Sequence, residues 1–182
     1  MLKQYYDLLV TTRGDNKLHS ARDLVQPDEM MVKTLAQILQ QAPDPIAAAQ
    51  DFVHSFTEYL YEEIDYWAIP GETLSYRAGD CDDKAILLCS ILRNFIPAEK
   101  VFCAFGFWKD EGHMWVVTED ADGQDLYIES TASSSSHPSN KYTLLAMFND
   151  QYAFATDIGI VQFGLVPVYQ QEELSCLGAR SL

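Results

Sequence analysis

Apolar residues recur at helical spacing through the first half of the chain. Asp44 suits the N-cap of one such helix, and Pro45 suits its first turn, where a missing N–H costs nothing. Its apolar stripe follows the helical repeat at Ile46, Ala49, Phe52, Val53, Phe56 and Leu60. Two further helices are predicted, one from Pro27-Asp28 to about Gln41 and one from Asp80 or Cys81 to near Asn94, with Pro70-Gly71 interrupting the helical pattern between them.

The second half favours strands instead. Segments rich in aromatic and β-branched residues predict strands at Lys100–Trp108, His113–Glu119, Gln124–Thr131 and, as one or two strands, Ile158–Tyr169. The serine-rich segment Ser133–Asn140 is predicted to be a surface loop. Helices followed by strands indicate one α+β domain over residues 1–182 with an antiparallel sheet, its motif-bearing core spanning about 45–170.

The composition narrows the function classes. A formal net charge of -15 repels phosphate backbones, which argues against nucleic acid as a partner. The chain has no run of about 18 apolar residues that could span a bilayer, and its N-terminus has no signal-peptide pattern. We therefore expect no membrane association and a cytoplasmic location. None of the four cysteines forms a C-x-x-C pair, which makes a structural zinc site improbable.

Cys81 differs from the other cysteines because it is predicted at a helix N-terminus. Free N–H groups and the positive end of the helix dipole stabilise a thiolate there. Helical spacing places Cys81 on one stripe with Ala85, Leu88, Leu92 and Phe95, which is predicted to face the sheet. Asp83, Ser90 and Arg93 fall on the opposite face, predicted to be solvated. The alternative is that Cys81 is one more buried cysteine.

A thiolate enzyme needs a base, and His113 is the candidate among the four histidines. It begins a predicted strand, and Glu129 on the next strand could accept its Nδ1–H and orient the ring. The hairpin between these strands decides whether the two residues share a face. A two-residue loop at Asp122-Gly123 would put Glu129 opposite Val116, on the wrong face. A three-residue loop at 121–123, or another odd-numbered loop, puts it opposite Trp115, and Gly123 favours that loop.

These motifs in this order resemble the transglutaminase-like branch of the papain superfamily. The resemblance runs from Phe52 to Thr131 and rests on Gly-x-Cys opening an apolar helix, His-x-Trp-Val on a strand, and an acidic residue followed by x-Thr. The segment from Asp65 to Leu74, with Trp67, Pro70, Glu72 and Thr73, and the acidic residues around Cys81 are similar to bacterial and archaeal transglutaminase-like cysteine proteinases. The implied fold has N-terminal helices and a catalytic helix packed on an antiparallel sheet.

The resemblance also implies residue roles. Cys81 would be the nucleophile, His113 the general base and Glu129 the orienting acid, at a position where the family usually has Asp. The backbone N–H of Cys81 would supply one oxyanion donor, with the Trp67 indole or the Tyr76 hydroxyl as second. Some relatives bind calcium through acids that match Asp80 and Asp82, although these aspartates also suit a helix start. No other cofactor is implied.

The implied reaction is acyl transfer from a protein or peptide substrate through a thioester. Transfer to water makes the enzyme a protease or amidase, which is the favoured expectation, and transfer to an amine makes it a transglutaminase. A different class is a non-catalytic binding module on the same fold. A zinc site of Cys81, His113 and Glu129 is a third possibility. The sequence does not indicate cleavage specificity or oligomeric state.

Overall fold

The structure is a computed structural model, and it describes residues 1–63, 65–120, 122–134 and 142–170. The helices in this part of the chain are α1 (Met30–Leu39), α2 (Pro45–Phe56), α3 (Pro70–Tyr76), α4 (Cys81–Leu92) and α5 (Asp157–Gln162). The strands are β1 (Lys3–Tyr5), β2 (Asp7–Val10), β3 (His19–Ser20), β4 (Glu58–Tyr59), β5 (Ala78–Gly79), β6 (Val101–Trp108), β7 (Glu111–Glu119), β8 (Asp125–Ile128), β9 (Tyr142–Phe148), β10 (Ala153–Ala155) and β11 (Val166–Val168). None of these helices has the length and apolar character needed to cross a membrane.

A six-stranded antiparallel sheet organises the fold, in the order β1-β10-β9-β6-β7-β8. Helix α4 packs against β6 and β7 on one face, and α1, α2 and α3 surround it. The described residues also form two smaller sheets, β11-β2-β3 and the parallel pair β4-β5. This arrangement confirms the predicted α+β architecture, with a central helix packed on an antiparallel sheet.

The predicted helix starts are confirmed where a capping residue marked them. Asp44 accepts a hydrogen bond from the N–H of Ala47 at the start of α2, and Asp80 accepts one from Asp82 at the start of α4. The sequence predicted Pro70-Gly71 only as an interruption of the helical pattern, whereas Pro70 begins the short helix α3. Proline is compatible with this position because the first turn of a helix leaves its N–H groups unbonded.

The predicted solvated face of α4 is wrong. Every residue from Asp82 to Leu92 is buried, including Asp83 and Ser90, which are 2% and 0% exposed. The error arose because α4 is covered by helices on the side away from the sheet, so helical spacing did not separate buried from exposed positions. Ser90 meets its hydrogen-bonding needs inside the core by donating to the carbonyl of Ile86 and accepting from the N–H of Gln26.

The C-terminal third departs most from the predicted strands. Strands β9 and β10 had no predicted counterpart, and Ile158–Tyr169 forms α5 and β11 instead of one or two strands. The side chain of Thr156 caps α5 by accepting from the N–H of Gly159. A Cβ at Gly159 would lie 2.5 Å from the carbonyl oxygen of Leu145, so α5 needs glycine to pack this closely on β9.

The hairpin between β7 and β8 has the register that the sequence predicted. Val116 pairs with Ile128, and the backbone N–H of Asp120 bonds to the carbonyl of Gln124, which leaves a three-residue loop at positions 121–123. Gly123 has φ +75°, as this loop requires, and position 121 lies outside the described residues. The odd-numbered loop directs Glu129 to the same face as His113.

Candidate active site

The thiol of Cys81 lies at the first residue of α4, held by the cap at Asp80. Its side chain is partly exposed, unlike those of Cys89 and Cys103, which are fully buried. The backbone N–H of Met114, on β7, makes a hydrogen bond to the thiol. The tip of the helix and the beginning of the strand therefore meet at the sulfur atom.

The residue before Met114 is His113, whose ring is bonded to Glu129. His113 Nε2 lies 2.7 Å from Glu129 Oε2, and both side chains are about nine-tenths buried. The predicted pair is thus formed, but through Nε2 instead of the predicted Nδ1. Although burial raises the pKa of Glu129, hydrogen bonds from His113 and from Thr131 outweigh it and hold that pKa below its usual value.

Cys81 and His113 line one cavity of about 230 Å³ between α4 and the sheet. One part of its lining is acidic and another is apolar. The other lining residues are Asp65, Trp67, Asp80, Asp82, Phe105, Gly112, Met114 and Phe163. Because the partly exposed Cys81 is among the lining residues, a substrate carbonyl bound in this cavity could reach the thiol.

The electrostatics around Cys81 oppose a thiolate. Burial, followed by the charges of Asp82 and Asp80, raises the pKa of the thiol well above its usual value. Burial first, and then the acids Asp82 and Asp80, therefore outweigh the helix dipole that was expected to lower that pKa. A cation near the sulfur is required for a reactive thiolate, and protonated His113 is the described group that could provide one.

The same first turn holds acids that are themselves poorly stabilised. Asp82 is 6% exposed, and its Oδ1 atom has no hydrogen-bond partner among the described residues. Burial and the charge of Asp80 raise the pKa of Asp82, and burial raises that of Asp83 to about 7 despite a hydrogen bond from the N–H of Ala68. Burying a carboxylate without a partner lowers the free energy of unfolding, so the acids of this turn destabilise the fold.

The two candidates for the second oxyanion donor differ in position. Trp67 lines the cavity, and its indole N–H donates to Asp65 at 3.1 Å. Tyr76 is 78% exposed at the end of α3 and is not among the residues that line the cavity, which speaks against that candidate. The Trp67 segment is fixed by Arg13, which donates both to the Trp67 carbonyl and to Glu72.

The other histidines and cysteines that the structure describes do not line this cavity. His19 pairs with Asp15, and His54 bonds to the carbonyl of Thr131. His137 and Cys176 lie outside the described residues. Among the described residues, the group with metal-ligand spacing is Asp80, Cys81 and Asp82, whose ligand atoms lie within 4.8 Å of one another. That group differs from the zinc set of Cys81, His113 and Glu129.

Several residues of the site escaped the sequence analysis. Phe163 lay within the segment predicted as strand but follows α5 in the structure, Phe105 was considered only as part of a strand, and Tyr142 opens a strand that had no predicted counterpart. Tyr142 donates from its hydroxyl to Glu129 Oε2 at 2.9 Å. No local pattern marks it, because its contact with Glu129 crosses the sheet.

Comparison with known families gives the first independent evidence on identity. The family model for the CEP76 peptidase-like domain matches residues 65–161, slightly more than half of the chain. The chain belongs to this family. The matched range of the peptidase-like domain contains Cys81, His113 and Glu129 together with the strands and helix that position them. No match was found among curated proteins.

A solved structure with a TM-score of 0.50 supports the fold described above. An EGTA-treated LapG of Legionella pneumophila superposes with a TM-score of 0.50 at 16% identity, over 81% of this chain and 94% of LapG. A second LapG structure of Legionella pneumophila superposes with a TM-score of 0.49 at 17% identity, and the match covers 72% of this chain and 90% of that LapG chain. A candidate cysteine protease of Cytophaga hutchinsonii gives 0.41 at 21% identity, over 59% of this chain and 40% of that protein.

Proposed function

We propose that this peptidase-like domain is a cysteine hydrolase that cleaves peptide or amide bonds through a thioester on Cys81. One arrangement carries the proposal. His113 is locked to Glu129 through Nε2, while its neighbour Met114 contacts the Cys81 thiol at a cavity that Cys81 and His113 both line. Thiol-based acyl transfer requires a nucleophile, a base that acts on the nucleophile, and an acid that orients the base.

The chemistry follows from the two nitrogens of the imidazole. When Nε2–H donates to Glu129, Nδ1 is the basic nitrogen of the neutral ring and takes the proton of the Cys81 thiol. The thiolate attacks the substrate carbonyl, and the Cys81 backbone N–H, left free at the helix start, donates to the developing oxyanion. Protonated His113 then delivers its proton to the leaving amine, and a thioester remains. Water activated by His113 attacks the thioester and releases the acid.

The shape of the cavity favours a peptide substrate. Trp67, Phe105 and Phe163 offer an apolar surface for a side chain next to the scissile bond. Asp65, Asp80 and Asp82, which line the same cavity, favour a basic residue of the substrate over an acidic one. Hydrolysis is the proposed outcome, and transfer to a primary amine instead of water is the alternative use of the same thioester.

Calcium is a further part of the proposal. Asp80 and Asp82 fit a hard cation because their oxygens lie close together and Asp82 Oδ1, buried and unpartnered among the described residues, needs a positive partner. Asp65 adds a third carboxylate at the same cavity. When bound, the cation would neutralise the acids that raise the pKa of the Cys81 thiol, and so favour the thiolate.

Mass spectrometry of the protein during turnover tests the proposed function. Incubated with a peptide library in calcium-containing buffer, the wild-type chain should show a thioester adduct on Cys81 and cleaved peptides. The His113→Ala variant should show neither, because it has lost the base. Added primary amine distinguishes the two outcomes: amine-modified products indicate a transglutaminase, and unmodified acids indicate a hydrolase. An absence of both adduct and cleavage with every peptide would contradict the proposal.

One observation favours a second candidate, the non-catalytic module. Burial and the charges of Asp82 and Asp80 raise the pKa of the Cys81 thiol, which disfavours the reactive thiolate. A module would bind a peptide in the same cavity without cleaving it. The same experiment separates the two, since the module would give intact peptides bound with equal affinity by the wild-type chain and by Cys81→Ala.

A further inference from the structure

The described residues give the Glu129 carboxylate four hydrogen bonds, two on each oxygen. Oε1 accepts from the backbone N–H and the hydroxyl of Thr131, at 3.0 and 2.7 Å. Oε2 accepts from His113 Nε2 at 2.7 Å and from the Tyr142 hydroxyl at 2.9 Å. Thr131 is local to Glu129 in sequence, whereas Tyr142 reaches it from β9, which is separated from β7 by β6.

The ring of Tyr142 belongs to an aromatic cluster that borders the imidazole. We call Trp108, Trp115, Tyr127 and Tyr142 the aromatic wall. The Tyr142 ring lies 4.7 Å from Trp115 and 5.8 Å from Tyr127, nearly parallel to the latter. The imidazole of His113 lies 5.6 Å from Trp108 and 6.3 Å from Tyr142. Ring contacts therefore fix the hydroxyl of Tyr142 against the carboxylate independently of that hydrogen bond.

We propose that Tyr142 is a positioning residue of the His113–Glu129 pair, acting through the carboxylate oxygen that Tyr142 and His113 share. The proposal rests on the proposed function, since it gives Tyr142 a role in orienting the general base. Two donors on one oxygen restrict where that oxygen can lie, and hence how the imidazole is turned. The hydroxyl is a permanent donor, because burial and the charge of Glu129 raise the pKa of Tyr142 above its usual range.

A hydroxyl that donates to Glu129 also withdraws negative charge from the bond to His113. Without it, the carboxylate interacts more strongly with the imidazolium, so the pKa of His113 should rise. The other titratable groups near His113 are Cys81, Asp65, Asp80 and Asp82, which line the same cavity. A Tyr142→Phe substitution alters none of them and keeps the ring in the aromatic wall.

The test is an NMR titration of His113 in wild type, Tyr142→Phe and Tyr127→Phe at one fixed calcium concentration. The His113 signal is identified by its absence in His113→Ala, since the chain has four histidines. Tyr127→Phe is the matched control, because it removes a hydroxyl from the same wall but Tyr127 is not among the described donors to Glu129. Thermal unfolding of all variants confirms that each is folded.

We expect the pKa of His113 to rise in Tyr142→Phe and to stay unchanged in Tyr127→Phe, because Glu129 loses a hydrogen-bond donor only in the first variant. Where a cleaved peptide is known, kcat should fall on the order of tenfold with KM little changed. The titration needs no turnover, so it stands even if the chain proves not to be a hydrolase. An unchanged His113 pKa in Tyr142→Phe, or an equal shift in both variants, would overturn the proposal.

Discussion

The body and the N-terminal end of α4 differ in burial and in charge: the body is fully buried and largely apolar, whereas Asp80 and Cys81 at the N-terminal end are only partly buried and lie beside the buried Asp82. In the body, Ile86, Leu87, Leu88 and Ile91 are 0% exposed and pack into one apolar core. In the first turn, Asp80, Cys81 and Asp82 crowd together, and one carboxylate oxygen of Asp82 has no partner among the described residues. One helix therefore carries both the strongest packing and the least favourable electrostatics of the site.

The contrast indicates how stability and function are divided. Apolar burial in the body of α4 stabilises the folded state. The desolvated acids of the first turn repel one another and offset part of that stabilisation. Sites that destabilise a fold without a compensating contact are commonly functional. Substitutions in the body should thus affect stability, and substitutions in the turn should affect chemistry with little loss of stability.

The largest expected effect is loss of activity in Cys81→Ala. Without the nucleophile, peptide cleavage should fall by roughly 10⁴-fold or more. The unfolding free energy should change by less than about 2 kcal/mol, because the thiol is partly exposed. Initial cleavage rates and urea unfolding measure the two quantities. Activity that survives the substitution would place the nucleophile elsewhere.

The matched change in the body is Leu88→Ala, which should act on stability. Leu88 is 0% exposed, so its truncation leaves a cavity between α4 and its neighbours and should cost about 2–5 kcal/mol. At a temperature where the variant remains folded, the alkylation rate of Cys81 should be near that of wild type. A stability loss below that range, or a selective loss of thiol reactivity in the folded variant, would break the division between body and turn.

In the first turn, Asp82→Asn should stabilise the calcium-free protein. The amide removes a desolvated charge and its repulsion with Asp80, which we expect to raise the unfolding free energy on the order of 1 kcal/mol. Stabilisation by added calcium should be lost in the same variant, because one ligand is gone. Urea unfolding with a chelator and with calcium measures both. A less stable calcium-free variant would show that Asp82 is paired after all.

The smallest effect compares two aspartates that cap helices. Asp44→Ala removes the cap of α2 and should cost about 1 kcal/mol. Asp80→Ala removes the cap of α4 but also relieves repulsion with Asp82, so its cost in calcium-free buffer should be smaller. Equal costs would mean that the charges of the first turn do not oppose one another.

Local signals in the sequence predicted the part of the fold that holds the candidate site. Asp44 and Asp80 marked helix starts, and Gly123 favoured the odd-numbered loop that directs Glu129 toward His113. Each of these residues acts within a few positions of itself, through a cap or a turn. The hypothesis that Cys81 and His113 meet at one cavity agrees with the structure, while their catalytic roles stay a prediction.

The features that the sequence did not predict depend on contacts between distant segments. Asp83 and Ser90 are buried because other helices pack over α4. The spacing of residues within α4 does not predict this packing. The bond from Tyr142 to Glu129 crosses two intervening strands, and the Nε2 geometry depends on the approach of β8. The pKa of Cys81 is raised by burial and by nearby acids. The sequence pattern locates these acids along the chain but does not give the size of their effect on the thiol.

The central claim is that His113 activates Cys81, and iodoacetamide alkylation at pH 6 in calcium-containing buffer tests it most directly. Peptide mapping by mass spectrometry assigns the label to Cys81 separately from the other cysteines. We predict that Cys81 of the wild-type chain reacts faster than a free thiol, and that His113→Ala abolishes this advantage. Alkylation of Cys81 no faster than that of a free thiol, with the same rate in His113→Ala, would contradict the claim.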